Sequence, residues 1–80
     1  MDIEIMAFGI ARDIFGASTI RIKAEDGSTV KELLENLQTT YPALQELRSV
    51  AIAINTEYAS MDQVIKSGDE VVIIPPVAGG

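Results

Sequence analysis

The chain has 80 residues, 48% of them hydrophobic, yet only two Phe, two Tyr and no Trp, so it makes one small domain with an aliphatic core and little depth for an enclosed pocket. It has no cysteine and no histidine, which excludes disulfides, thiolate nucleophiles and Cys-ligated metals and removes the commonest general base. Twelve acidic against six basic residues leave a net charge of −6, which argues against a nucleic-acid partner and fits either docking on a basic protein surface or simple solubility.

Asp2 to Phe8 alternates, with Ile3, Ile5 and Ala7 on one face and Glu4, Met6 and Phe8 on the other, as a strand does. Met6 and Phe8 either pack under a loop or form an apolar docking patch. Gly9 to Gly16 carries Ile10, Ala11, Ile14 and Phe15 at helical spacing, which predicts a short helical turn closed by Gly16. Ala17 to Lys23 alternates again and predicts a second strand, antiparallel to the first. Thr29 and Glu32 form a capping box ahead of Val30, Leu33, Leu34, Leu37 and Tyr41, an apolar stripe that predicts the main helix, ending near Thr40 because Tyr41 precedes Pro42. Leu44 and Leu47 are expected on a short turn after it. Val50 to Ile54 reads as a third strand, Asn55-Thr56 as a tight turn, Tyr58-Ala59 as a short return strand and Glu70 to Ile74 as the last strand, reached through the turn Lys66-Ser67-Gly68-Asp69. One helix on one face of a mixed sheet is an α+β two-layer sandwich, and this element order points to the ubiquitin-like β-grasp arrangement.

The last strand runs directly into Pro75-Pro76-Val77-Ala78-Gly79-Gly80. Prolines end sheet pairing and stiffen the exit, and glycines thread where side chains clash. Residues 75–80 are therefore expected as an extended, flexible tail of a single domain, spanning about 20 Å at full stretch. Such a tail is either solvated slack or an arm that carries a reactive carboxylate to another protein. Elsewhere the chain offers little chemistry. It has no phosphate-binding glycine loop, and no histidine stands ready to activate its Ser and Thr hydroxyls. Asp69 and Glu70, adjacent on an extended chain, point apart, so a solvated turn is the expectation there. Glu57, Asp62 and Asp69 are expected to make one end of the sheet acidic. No apolar run reaches the ~20 residues of a membrane helix, and Met1-Asp2-Ile3-Glu4 lacks a signal-peptide charge pattern, so a cytoplasmic protein without a membrane partner is expected.

Several of these stretches match a known family. Gly68-Asp69-Glu70-Val71 with Ile73-Ile74-Pro75-Pro76-Val77-Ala78-Gly79-Gly80, Phe8-Gly9 with Ala11-Arg12-Asp13 and Gly16, Val30-Lys31-Glu32-Leu33-Leu34, and Ala53-Ile54-Asn55 together resemble the small, sulfur-carrying subunit of molybdopterin synthase. The resemblance implies a β-grasp fold and a C-terminal Gly80, preceded by Gly79, that is adenylated and turned into a thiocarboxylate. It implies that this chain binds no cofactor itself, ATP being used by an adenylating enzyme related to the ubiquitin activators. It implies a sulfur donor such as a cysteine desulfurase or rhodanese-like protein. The large subunit of molybdopterin synthase would then receive the tail and pass sulfur to precursor Z (cyclic pyranopterin monophosphate). Phe8, Tyr58 and Ile74 match the family's partner-binding positions, together with the tail residues Pro75, Pro76, Val77 and Ala78. Ala78 stands where the family often has Ser or Thr, and Thr56 where it often has Gly. Carriers for thiamine or cysteine synthesis, and ubiquitin-like modifiers of lysines, share enough of this pattern to stand as alternatives.

Overall fold

The structure is a computed structural model and describes residues 1–47 and 49–76. Its elements are β1 (Asp2–Ala7), α1 (Gly9–Phe15), β2 (Thr19–Lys23), α2 (Val30–Thr40), a 3-10 turn (Pro42–Glu46), β3 (Ala51–Ile54), β4 (Glu57–Tyr58) and β5 (Val71–Ile74). The five strands form one mixed sheet in the order β2-β1-β5-β3-β4. β1 and β2 are antiparallel neighbours, β5 runs parallel to β1, and β3 is antiparallel to both β5 and β4. The first and last strands thus lie side by side in the middle of the sheet.

The period-two pattern decides which side of each strand is dry. Ile5 pairs with Val71, and Val71 with Ile54; Ala7 pairs with Ile73, and Ile73 with Ile52. All six side chains are buried in one aliphatic cluster with Ile3, and the same cluster takes Val30, Leu33 and Leu37 from α2. Burying a Leu or Ile side chain contributes about 1.5–3 kcal/mol, so this layer contact supplies much of the driving force. α2 begins as its sequence requires. The Thr29 hydroxyl accepts from the Glu32 N–H while the Glu32 carboxylate accepts from the Thr29 N–H at 3.0 Å, completing the capping box. The helix ends at Thr40, just ahead of Tyr41-Pro42.

The expected elements are all present, with boundaries that tell something about packing. β1 stops at Ala7, and Phe8 becomes the cap residue before α1 rather than the last strand position. α1 buries Ala11 and Phe15 but leaves Ile10 exposed, and Gly16 ends it at φ 74°. That left-handed value suits a residue without Cβ. Leu34, though on the expected stripe, is only half-buried and lies outside the core cluster. Tyr41 lies past the helix end, with its ring 4.7 Å from that of Phe15. The core therefore follows the narrower stripe of Val30, Leu33 and Leu37, and Leu44 of the 3-10 turn extends it.

The β3–β4 turn has Asn55 at φ 52° and Thr56 at φ 71°. Two successive left-handed residues are what a two-residue hairpin turn demands. Asn tolerates that region, whereas a β-branched Thr is strained in it. The turn is fastened to the start of β5. The Asn55 side-chain amide donates to Asp69 Oδ1 at 3.0 Å, and its Oδ1 accepts from the Glu70 N–H at 3.0 Å. Asp69 Oδ2 accepts from the Lys66 N–H at 2.8 Å. These donors, the Lys66 N–H first and the Asn55 amide second, hold the Asp69 carboxyl below the usual carboxylate range, with a smaller contribution from the Lys66 charge.

Two predictions follow from this turn. Thr56→Gly should raise unfolding stability by about 1 kcal/mol by relieving the left-handed strain, read as a higher urea midpoint at unchanged slope; a lower midpoint would refute the strain. Because the folded Asp69 pKa is depressed, its stabilisation is complete above the unfolded value and is lost as pH falls through the folded one. Asp69→Asn should therefore flatten the acid limb of the stability–pH curve, and an unchanged limb would show that the clamp does not favour the ionised form.

Candidate functional site

The sheet face opposite α2 is built by the alternate residues of the same strands. The register places Met6 beside Val72, Val72 beside Ala53 and Ala53 beside Tyr58. One row of side chains thus crosses four strands. Ile74 lies opposite Ala51 in the next row. Tyr58 is 75% exposed and Phe8 56% exposed, while Met6, Val72, Ile74 and Ala51 are half-buried. Ala53, though shielded, is not part of the core cluster. Small alanines in the middle and larger apolar groups at both ends make a shallow apolar face. A contiguous face of this kind on a small domain is a mark of docking.

This face sits at the exit of the tail. Pro75 and Pro76 directly follow Ile74, and a Cβ on Gly9 would lie 3.8 Å from Pro75 Cγ. Gly9 has φ 55°, a conformation that glycine takes without strain. The Phe8-Gly9 corner and the first proline of the tail therefore lie side by side, although they are far apart in sequence. Val77, Ala78, Gly79 and Gly80, the remaining expected site residues, lie outside the described residues.

Beyond the apolar rows the same face becomes charged. Glu4 pairs with Arg21 at 3.2 Å across the β1–β2 ladder, and Asp2 lies opposite Lys23. A shallow groove of about 330 Å3 is lined by Asp2, Glu4, Met6, Gly68, Asp69 and Glu70. The acidic region is therefore made by β1 and the start of β5. Glu57 and Asp62 do not line it, and the Asp62 carboxylate accepts from the Ser60 hydroxyl at 2.7 Å. Sequence spacing could not show this, because Glu4 and Glu70 become neighbours only through the parallel β1–β5 pairing. The expected turn role of Asp69 does hold, in the clamp described above. Among the described residues no three His, Cys, Asp or Glu side chains come together as a metal site. Likewise, no described helix is long and apolar enough to cross a membrane.

The structure places Phe8 and Ile74 at the tail prolines, and Tyr58 on the same sheet face but out on the edge strand β4, two strands from β5. Met6, read from the sequence with Phe8 as one of two options for an apolar patch, lies on the same face, and the structure adds Val72, Ala51 and Ala53, which sequence reading did not assign to a site. Their signal was the alternation within β3 and β5, which becomes informative once the register is known.

A β-grasp domain with an apolar sheet face beside a proline-glycine tail is the form of the ubiquitin-like carrier proteins. Residues 5–80 match the ThiS family, and the chain belongs to it. It is 36% identical over 81 residues to a molybdopterin synthase sulfur carrier subunit of Arabidopsis thaliana, a match covering all of this chain and 84% of that protein. The crystal structure of SAMP1 from Haloferax volcanii superposes with a TM-score of 0.84 at 26% identity, covering both chains fully. A complex of subunits 1 and 2 of molybdopterin-converting factor from Helicobacter pylori contains a chain that matches with a TM-score of 0.67 at 33% identity, again over both full lengths.

Exposed apolar residues on this face add little to folding. Phe8→Arg and Tyr58→Arg should each leave the unfolding free energy within about 0.5 kcal/mol of the parent. A fall of several kcal/mol in a denaturant titration would place the residue in the core instead.

Proposed function

We propose that this chain is the sulfur carrier subunit of molybdopterin synthase. The observation that carries the reading is the end-to-end similarity to proteins bearing that name, which includes the stretch ending in Gly79-Gly80. The apolar face beside the tail exit supports it, because a carrier must be gripped by its body while its end is threaded into a partner's pocket.

The chemistry assigned to the tail is that of a carboxylate made reactive in steps. With Gly80 as the free C-terminus, its carboxylate oxygen attacks the α-phosphorus of ATP on a separate adenylating enzyme. Pyrophosphate leaves and a mixed anhydride forms. The terminal sulfur of a persulfide on a donor such as a cysteine desulfurase or rhodanese-like protein displaces AMP from the carbonyl carbon to give an acyl disulfide. A thiol then cleaves its S–S bond, leaving the thiocarboxylate on Gly80 and a disulfide on the donor side. The large subunit of molybdopterin synthase takes the tail into its own site, where the sulfur passes to precursor Z. This chain needs no cofactor of its own in the scheme, and ATP stays with the activating enzyme. Its working groups are Gly80 and Gly79 at the tip, Pro75, Pro76, Val77 and Ala78 along the arm, and Phe8, Tyr58 and Ile74 on the face. A cytoplasmic setting belongs to the same proposal.

A second reading, conjugation to lysines of other proteins, is favoured by the structural similarity to a small archaeal modifier. The same activated glycine carbonyl is open to attack by an amine as well as by sulfur. Mass spectrometry distinguishes the two. Incubation with adenylating enzyme, ATP and a sulfur donor should add the mass of one sulfur in place of one oxygen. An isopeptide ladder in cells without that mass gain would favour the modifier. Deleting Gly80, or appending a residue after it, should abolish precursor conversion while leaving the melting temperature unchanged, and normal conversion by either variant would refute the mechanism. Phe8→Arg should weaken binding to the large subunit at least about tenfold, the loss expected for a central apolar contact of an interface.

A further inference from the structure

The docking face leaves one side of the sheet unused, the edge formed by β2. The hydrogen-bond phase of that strand follows from its flanks. The Ala24 N–H donates to the Met1 carbonyl at 2.9 Å, and the Ala7 N–H donates to the Ser18 carbonyl at 2.8 Å. With the observed register, Ile20 and Ile22 are then the residues that exchange main-chain bonds with β1. Thr19, Arg21 and Lys23 turn their N–H and C=O groups outward. β2 is last in the sheet, so these groups meet no strand among the described residues. Ile20 and Ile22 point toward the α2 side and are only half-buried.

An open edge invites a further strand, and its chemistry says which kind. A second copy of this chain is a poor fit. Antiparallel pairing of two β2 strands about their centre sets Arg21 against Arg21, with Lys23 against Thr19, and like charges directly opposite are destabilising. An acidic strand is not called for either, because Arg21 is already paired with Glu4 at 3.2 Å and Lys23 faces Asp2. On the inner side, β2 and α2 leave a cleft of about 240 Å3 lined by residues that include Glu25, Glu32, Leu33 and Asn36. It has room for one long side chain; the carboxylates of Glu25 and Glu32 border it, and Lys23 also lines it, so two negative charges stand against one positive.

We propose that β2 accepts an added strand from another protein. The added segment is short and extended. It carries two apolar residues on alternate positions over Ile20 and Ile22, and a Lys or Arg at the next position on the same face, entering the cleft beside Glu25 and Glu32. Its main chain bonds to the free groups of Thr19, Arg21 and Lys23. The edge is separated from Tyr58 by the width of the sheet, so a partner held here leaves the apolar face and the tail free. The inference does not depend on the carrier chemistry.

The test is a titration of the 15N-labelled full chain with the capped peptide Thr-Lys-Thr-Val-Thr-Val-Thr, written for antiparallel pairing. Amide shifts should centre on Thr19, Arg21 and Lys23. The same peptide N-methylated at its third and fifth residues, which face β2 with their N–H groups, should bind about tenfold more weakly or worse. Exchanging its Lys for Glu should weaken binding severalfold, most at low salt. Absence of shifts at millimolar peptide, shifts confined to the Met6–Tyr58 row, equal binding of the N-methylated peptide, or dimerisation of the chain through β2 would each overturn the proposal.

Discussion

The parallel pairing of β1 with β5 is the contact on which the molecule depends. Ile5 and Val71, which open the ladder, are completely buried, and Ala7 and Ile73 close it. It joins the beginning of the described chain to its last strand, so it forms only when the crossover between them is in place. The same pairing fixes both faces at once. Inward it sets the aliphatic layer on which α2 lies. Outward it sets Met6 beside Val72 and brings the Phe8-Gly9 corner to the exit of the tail. A slip of one residue would exchange the two faces and dissolve the core and the outer apolar face together.

From this follows a division of labour between body and tail. The body is an aliphatic sandwich with no buried polar or charged residue among those described. Its polar bonds are spent at the margins, in the Thr29–Glu32 box and the Asn55–Asp69 clamp. In the proposed function the catalytic side chains belong to partners, and this protein contributes position and a reactive end. The strained Thr56 fits the same picture, since a turn fastened by Asn55 tolerates a residue that the backbone disfavours.

Much of this was legible in the sequence, for physical reasons. α2 announced itself through its capping box and its stripe, and β1 through Ile3, Ile5 and Ala7, because local periodicity reports burial on one side. The Asn55-Thr56 turn was legible because few residues accept positive φ. Tyr58 and Ile74 came from a family resemblance and Phe8 from both that and the alternation of the first strand, and Ile74 could not have been joined to Phe8 by spacing alone. What depended on register stayed hidden. Val72, Ala51 and Ala53 entered the site, and Asp2 and Glu4 joined Glu70, only through pairings between distant strands. Leu34 shows the opposite limit: it satisfies the helical period, yet the contact with the sheet is narrower than the stripe.

The central claim is that the body is gripped by the sheet face from which the tail departs. Hydrogen exchange of this chain, alone and mixed with the large subunit of molybdopterin synthase, measures it directly. Slowed exchange at residues 6–8, 51–53, 58 and 72–74, with 20–22 unchanged, is the result this account predicts. Slowing confined to the α2 side, with the Met6–Tyr58 row untouched in a complex that has formed, would contradict it.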